Sequence, residues 1–204
     1  MVAMVKYIIE HLEPKLYPWC FLEYKHISKI VGKGALIFSN TKNLSQREVK
    51  KLEKLGKVWL ESISNKFLNK FLNIKHTNAC ILDPNATKEL TPKIAKQYNY
   101  FIFGGILGDN PPKARTTKFL TSKLNLPAYN LGKEQMSTDT AVAVCKEIYN
   151  GTSLKNLKFQ DGYSVKIEKW LWEELPYRYL IKNGKVLFTP GLKKLLKNLA
   201  KKGI

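Results

Sequence analysis

Arginine is scarce in this chain of 204 residues: Arg47, Arg115 and Arg178 are the only three among 35 basic residues. The positive charge is therefore mostly hydrated lysine ammonium. It attracts anions diffusely and lacks the planar fork with which guanidinium reads bases. Acidic residues are also few, 16 in all, which leaves a net charge of +19. That balance excludes a partner surface that is itself basic and points to a polyanion nearby: RNA, DNA, a ribosome or an anionic membrane. Dispersed lysine is equally a mark of a heat-adapted or compositionally biased source, so the charge alone selects no partner.

Cysteine and histidine are sparse as well. Cys20, Cys80 and Cys145 are odd in number, far apart and flanked by apolar residues, which excludes a disulfide framework and a zinc ribbon. His11, His26 and His76 form no HExxH spacing, so no metal is expected. No Ser/His/Asp or Cys/His set stands out. Long hydrophobic runs are missing too: the longest, Tyr100 to Leu107, already contains two glycines, and a membrane span needs about 20 apolar residues. Lys6 and Glu10 interrupt the apolar start, so no targeting segment is visible. A cytoplasmic protein with no membrane partner is expected.

What is present supports a globular core. Hydrophobic residues make up 44% of the chain. No linker or repeat divides residues 1–204, so one domain is expected, with a hairpin and helix at about 175–204. Met4–Glu10, Ala35–Phe38, Cys80–Leu82, Tyr100–Phe103 and Pro127–Leu131 read as short strands. Trp19–Val31 reads as a helix after breaks at Pro14 and Pro18, and Gly32-Lys33-Gly34 stops it. Ser45 and Glu48 form a capping box for a helix to about Leu55. Val58–Thr77 is read as helix, Thr91-Pro92 opens another, and a further one covers about Ala114–Leu124. Ser137 or Thr138 caps a helix whose inner face carries Ala141, Val144, Cys145 and Ile148. Leu175–Ile181 and Lys185–Phe188 form a hairpin about Asn183-Gly184, and Thr189-Pro190 starts a last helix with leucines on one face. The apolar face of that helix suits either the core or an oligomer interface, so monomer and homodimer both stay open.

Strands alternating with helices predict an α/β domain with a largely parallel sheet, whose ligands lie outside the carboxyl ends of the strands. Asp83, the Gly104-Gly105-Ile106-Leu107-Gly108-Asp109 loop and the Gly132–Ser137 loop all fall at such ends. The glycine loop is not GxGxxG and no GK[ST] follows, so neither a dinucleotide fingerprint nor a Walker loop is present. Asp109, Glu134 and Asp139 are the acidic residues beside these loops, in a chain with four aspartates. Asp109 is the strongest candidate for chemistry; Asp139, in the first turn of a helix, is explained by the macrodipole alone.

An ordered set of segments then resembles a known family. Ile8-Ile9-Glu10-His11, Leu22-Glu23-Tyr24 and Leu82-Asp83-Pro84 with Ala86-Thr87 come first. Phe103–Asp109 with Pro111-Pro112 and Arg115-Thr116 follows, then Leu131-Gly132, Gln135-Met136, Thr138–Ala141, Leu175-Pro176 and Arg178-Tyr179. Together they resemble the SPOUT-class protein arginine methyltransferases, a group long classed with RNA methyltransferases. The likeness runs from about Tyr7 to Arg178. It implies a SPOUT-type parallel-sheet α/β domain with a carboxyl-terminal trefoil knot, a topology that periodicity could not show.

The resemblance also implies S-adenosyl-L-methionine as cofactor, bent among three loops. Matched by motif, these offer Leu82, Asp83 and Pro84; Phe103, Gly104, Gly105, Ile106 and Gly108; and Leu131, Gly132, Met136, Ser137, Thr138, Thr140 and Ala141. An arginine acceptor is protonated at neutral pH, with a pKa above about 12, so a carboxylate must orient it and take its proton. That role is assigned to Asp109, with Glu10 or Glu23 as orienting partners. The implied acceptor is an arginine of a ribosomal protein, free or on the ribosome. The alternatives are an RNA methyltransferase on the same fold, which the +19 charge favours, and a non-catalytic module that binds RNA or ribosomes. Two departures from the family pattern are a lysine-rich last helix in place of an acidic tail, and the unmatched segment Val58–Thr77.

Overall fold

Six short strands, most of them apolar runs, lie side by side as a parallel sheet in the computed structural model, which describes residues 5–64, 78–108, 111 and 113–202. They are β1 (Lys6–His11), β2 (Leu36–Ser39), β3 (Lys57–Val58), β4 (Ala79–Leu82), β5 (Tyr100–Gly105) and β6 (Ala128–Tyr129), in the order β3-β2-β1-β5-β4-β6. The run-like composition follows from burial on both faces, as in other all-parallel sheets. On one face, Tyr7, Ile9, Phe101 and Phe103 pack beneath two helices, α1 (Pro18–Val31) and the long helix that begins at Thr138. On the other, Ile8, Ile81 and Ile102 meet Leu120 and Leu124. The three cysteines sit in this interior as free thiols, and burial pushes the Cys20 thiol up to about 12.

Local signals account for most boundaries. Pro18 is not a break but the first residue of α1, where its missing N–H costs nothing. α2 (Gln46–Glu53) carries the full capping box: the Ser45 hydroxyl accepts from the Glu48 N–H, and the Glu48 carboxylate accepts from the Ser45 N–H. The Ser45 hydroxyl, which also donates to the Glu48 carboxylate at 2.7 Å, and then the Ser45 N–H hold the Glu48 carboxyl below the usual range. α3 (Pro92–Ala95) starts at a Thr91 cap. α4 (Thr138–Tyr149) has Ser137 at its N-cap, but the Ser137 hydroxyl donates to the Asp139 carboxylate at 2.7 Å rather than capping a backbone N–H.

Three expectations change. The described part of Val58–Thr77 is not helical: Trp59 N–H donates to Phe38 O and carries the chain past β2 before it bends at Leu60 and Glu61; residues 65–77 lie outside the described residues. The helix at Ala114–Leu124 narrows to a π-helical turn, Thr117–Thr121. The segment before the expected hairpin is itself a strand, β7 (Lys158–Lys166), paired antiparallel with a long β8 (Trp172–Lys182), which turns into β9 (Lys185–Val186). Asn183 and Gly184, with φ of +52° and +71°, make that turn as Asn-Gly dictates. α5 (Leu192–Ala200) buries Leu192 and Leu196 against β7, β8 and α1, so its apolar face belongs to the core.

Asp139, 1% exposed, ties the two halves together. Its carboxylate accepts from Thr189 Oγ1 at 2.6 Å and lies 2.7 Å from His26 Nδ1 on α1. Among the described residues no helix is long and apolar enough to cross a membrane, and no group of His, Cys, Asp and Glu could hold a metal ion.

Candidate active site

The carboxyl ends of β4, β5 and β6 converge on one side of the sheet. Leu82 pairs with Phe103 and with Tyr129, so the three following loops start side by side. Hydrogen bonds then fix them. Asp83, 2% exposed, accepts from Asn85 N–H, from Thr117 Oγ1 at 3.1 Å and from Thr121 Oγ1 at 2.6 Å, clamping the β4 loop to the π-helical turn. Asn130 donates to Ala86 O and accepts from Gly132 N–H. Gly132 has a φ of +100°, a conformation in which a Cβ is strained, and it turns the chain toward Met136.

Between these loops is an open cavity of about 250 Å³. Leu82, Pro84, Phe103, Ile106, Met136 and Ala141 supply apolar walls, and Gly104, Gly108 and Thr138 complete them. A side recess of about 50 Å³ shares Leu82, Pro84, Met136 and Ala141 and adds Asp83, Leu131 and Gly132. Lys113, Arg115 and Lys133 bring positive charge to the rim. Apolar walls with a few polar groups are the composition expected of a cofactor site.

Asp83 and Glu134 line the recess, and a further carboxylate beside the first cavity is one the sequence reading passed over. Glu13 Oε1 accepts from Leu107 N–H at 2.9 Å and from Arg115 Nη2 at 3.0 Å, and Arg115 Nη2 also donates to Leu107 O. Leu107 and Arg115 line the first cavity, while Glu13 lines a second one of about 340 Å³ with His11, Asn40, Asn43 and Phe119. Glu13 thus stands between the two. The signal available for this pair was the rarity of arginine: Arg115 is one of three.

The sequence profile of the family described as "Protein arginine N-methyltransferase SFM1-like" matches residues 6–203. The chain belongs to this family. It is 37% identical over 202 residues to Protein arginine N-methyltransferase SFM1 of Saccharomyces cerevisiae, covering 95% of this chain and 94% of that relative. The crystal structure of yeast SFM1 complexed with SAM superposes with a TM-score of 0.84 at 33% identity, over 97% of this chain and 92% of the other. The complex with SAH gives 0.84 at 34% identity, over 94% of each chain. A Trm10 of Thermococcus kodakaraensis, 16% identical, shares the fold with a TM-score of 0.55 over 74% of this chain and 95% of the other. The parallel-sheet α/β fold is therefore that of SPOUT methyltransferases.

In this SFM1-like chain the motif residues divide by position. Leu82, Pro84, Phe103, Gly104, Ile106, Gly108, Met136, Thr138 and Ala141 line the cavity, and Asp83, Leu131 and Gly132 line its recess. Gly105, Ser137 and Thr140 line neither. Gly105 is small for another reason: a Cβ there would lie 2.3 Å from Tyr24 Oη and 2.8 Å from Ile9 Cγ2. Ser137 and Thr140 bond to Asp139 and to each other, organising the α4 N-terminus.

The carboxylates divide similarly. Glu10, paired in register with Gly104, turns its side chain to the opposite face of the sheet, because alternate strand residues point opposite ways. There it accepts from Ser39 Oγ at 2.6 Å, from Ser62 Oγ and from Ile63 N–H, outside the cavity. Burial raises its pKa, and those three donors pull against the rise. Glu23 on α1 accepts from Trp19 Nε1 at 2.9 Å and bonds to Thr138, one residue behind the cavity wall. Burial first, and the neighbouring Asp139 second, hold its carboxyl well above the usual range. Asp109 lies outside the described residues.

Proposed function

We propose that this protein transfers the methyl group of S-adenosyl-L-methionine to an arginine side chain of a ribosomal protein in the cytoplasm. The observation that carries the proposal is the cavity at the ends of β4, β5 and β6, in a chain whose relatives of similar length and the same fold are crystallised with SAM and SAH. The proposal includes the trefoil knot of the SPOUT class in the carboxyl-terminal part of the chain.

When bound, the cofactor supplies an electrophilic methyl group on sulfonium sulfur; every other requirement falls on the protein. Leu82, Phe103, Met136 and Ala141 exclude water from the apolar part of the ligand, and backbone groups of the glycine loop and of Leu131-Gly132 hydrogen-bond its base. Lys113, Arg115 and Lys133, at the cavity rim, would hold its carboxylate. The acceptor enters through the second cavity, where Glu13, Asn40 and Asn43 offer oxygen acceptors to a guanidinium. Glu13 orients that group, and Asp109 takes its proton as the nitrogen becomes nucleophilic. Glu10 and Glu23 act on neither reactant: the one braces β1 against β2, the other, through its bond to Thr138, braces α1 against α4. Catalysis is then chiefly alignment, in a site that needs no metal.

The test is incubation of the purified protein with labelled S-adenosyl-L-methionine and cell lysate, followed by ribonuclease or protease. Label that survives ribonuclease and is lost to protease supports the proposal, and sequencing of the labelled peptide identifies the residue. Label lost to ribonuclease favours RNA as acceptor, the outcome the +19 charge would accommodate. No affinity for the cofactor in calorimetry leaves a non-catalytic binding module.

A further inference from the structure

The tip of the β7–β8 hairpin breaks two rules that the rest of the molecule keeps. Trp170, Leu171 and Trp172 are 86%, 47% and 53% exposed, whereas the other large apolar side chains, Leu60 apart, are at least partly buried among the described residues. The local charge is also inverted. Residues 167–174 carry one lysine, Lys169, against Glu168, Glu173 and Glu174, while the whole chain has 35 basic residues to 16 acidic ones. All four of these charged side chains are exposed.

The tip is held in place. Val165, Ile167 and Leu175 on one face of the hairpin pack on Leu192 and Leu196 of α5, and Ile167 N–H donates to Leu171 O at 2.8 Å across the turn. The register Ser164↔Glu174 and Lys166↔Trp172 puts Trp172 and Glu174 on the opposite face, and a register shift at Asp161–Tyr163 separates this stretch from Arg178. Near Arg178 the same strand meets the cofactor cavity: Arg178 N–H donates to Gln135 O at 2.8 Å, and Tyr177 Oη donates to Gly108 O at 3.0 Å. The arm is therefore continuous with the site. Six residues of strand separate Arg178 from Trp172, about 20 Å at roughly 3.4 Å per residue.

The rings already show which chemistry suits them. Lys169 Nζ lies 5.1 Å from the Trp170 ring centroid, and Lys166 Nζ lies 5.6 Å from that of Trp172. Both indoles attract an ammonium, and indole is the best of the cation-binding rings. With three glutamates beside them, they suit a lysine- or arginine-rich polypeptide and repel nucleic-acid phosphate or anionic lipid.

We propose that the β7–β8 arm is a docking site for a basic segment of the acceptor protein, lying about six residues of β8 from the edge of the cofactor cavity. This rests on the arginine methyltransferase reading. The arm raises the local concentration of a basic substrate at the cavity, which the chain's net charge of +19 would otherwise repel.

The test uses the full chain, with Trp170→Ser/Trp172→Ser as one variant and Glu168→Lys/Glu173→Lys as a second; all four positions are exposed. A fluorescent dodecapeptide of alternating lysine, arginine and glycine is the protein probe, and a uridine dodecamer the RNA probe. Both variants should bind the peptide about tenfold more weakly than the original chain. Calorimetric affinity for S-adenosyl-L-methionine should be unchanged. With the unmodified acceptor protein identified from lysate, KM should rise and kcat hold. Failure of the peptide to bind the original chain, equal binding by the variants, or loss of the RNA probe instead of the peptide would overturn the proposal. Methyl transfer to protein with KM unaltered in the variants overturns the arm alone; label in RNA overturns the reading beneath it.

Discussion

The parallel sheet and the β7–β8 arm contribute to one site by opposite means. Strands β4 and β5 are short, apolar and largely buried, β6 is half-buried, and each ends in a loop that lines the cavity. The arm reaches the same loops by its Tyr177 hydroxyl and its Arg178 backbone, buries one face on α5, and leaves tryptophan and glutamate in water. The sheet thus supplies a rigid floor on which small displacements are costly. The arm supplies a surface on which substitutions are cheap for stability and consequential for recognition. Chemistry and selectivity are separated into parts with different tolerance to change.

The largest expected effect falls on chemistry. Asp109→Asn should lower kcat by about 10²–10⁴-fold, the range for loss of a general base, with cofactor affinity nearly intact. Stopped turnover assays with calorimetry check both halves, and unchanged kcat would remove Asp109 from the proposed role. A direct comparison of the two regions comes next. Phe103, 2% exposed and packed between β1 and α1, should cost about 3–5 kcal/mol on replacement by alanine. Trp170→Ala should change stability by less than about 0.5 kcal/mol, although the larger ring is removed. Equal urea midpoints for the two variants would erase the distinction between floor and arm.

The smallest effect is on pH dependence. Burial raises the Glu23 and Glu10 carboxyls, so the folded state holds their protons at pH values where the unfolded chain has released them. This contribution to stability is full below the ordinary glutamate range and is lost as pH rises through the folded values. Glu23→Gln keeps an oxygen to accept from Trp19 Nε1 and cannot ionise. Its thermal midpoint should decline less from acid to neutral pH than that of the original chain, with Glu10 responsible for the remaining slope. An identical pH profile would mean that Glu23 is not held protonated in the fold.

How much of this could be read from sequence follows the same division. The sheet and its site were legible because each strand is a short apolar run ended by a turn residue, and because ligand loops collect at strand ends. Nine motif residues proposed for the cofactor line the cavity, and three more line its recess. Other signals were ambiguous. Glu10 lies in a motif, but strand alternation sends it to the far face, where Ser39 and Ser62 hold it. Gly105 resembles its neighbour Gly104, yet its size is set by Tyr24 behind the sheet. β7 was missed because Lys158–Lys166 mixes polar and apolar residues around a bulge at Asp161–Tyr163. Glu13 was missed because its partners, Leu107 and Arg115, are 94 and 102 residues away. Long-range hydrogen bonds leave no trace in local spacing.

The central claim is that one ligand, S-adenosyl-L-methionine, occupies the cavity between the loops after β4, β5 and β6. A crystal structure of this protein grown with the cofactor tests it most directly. The account predicts the adenosyl group against Leu82, Phe103 and Met136, with the methyl-bearing sulfur turned toward Glu13. Density for the ligand on another face of the sheet, or an empty cavity at saturating cofactor, would contradict it.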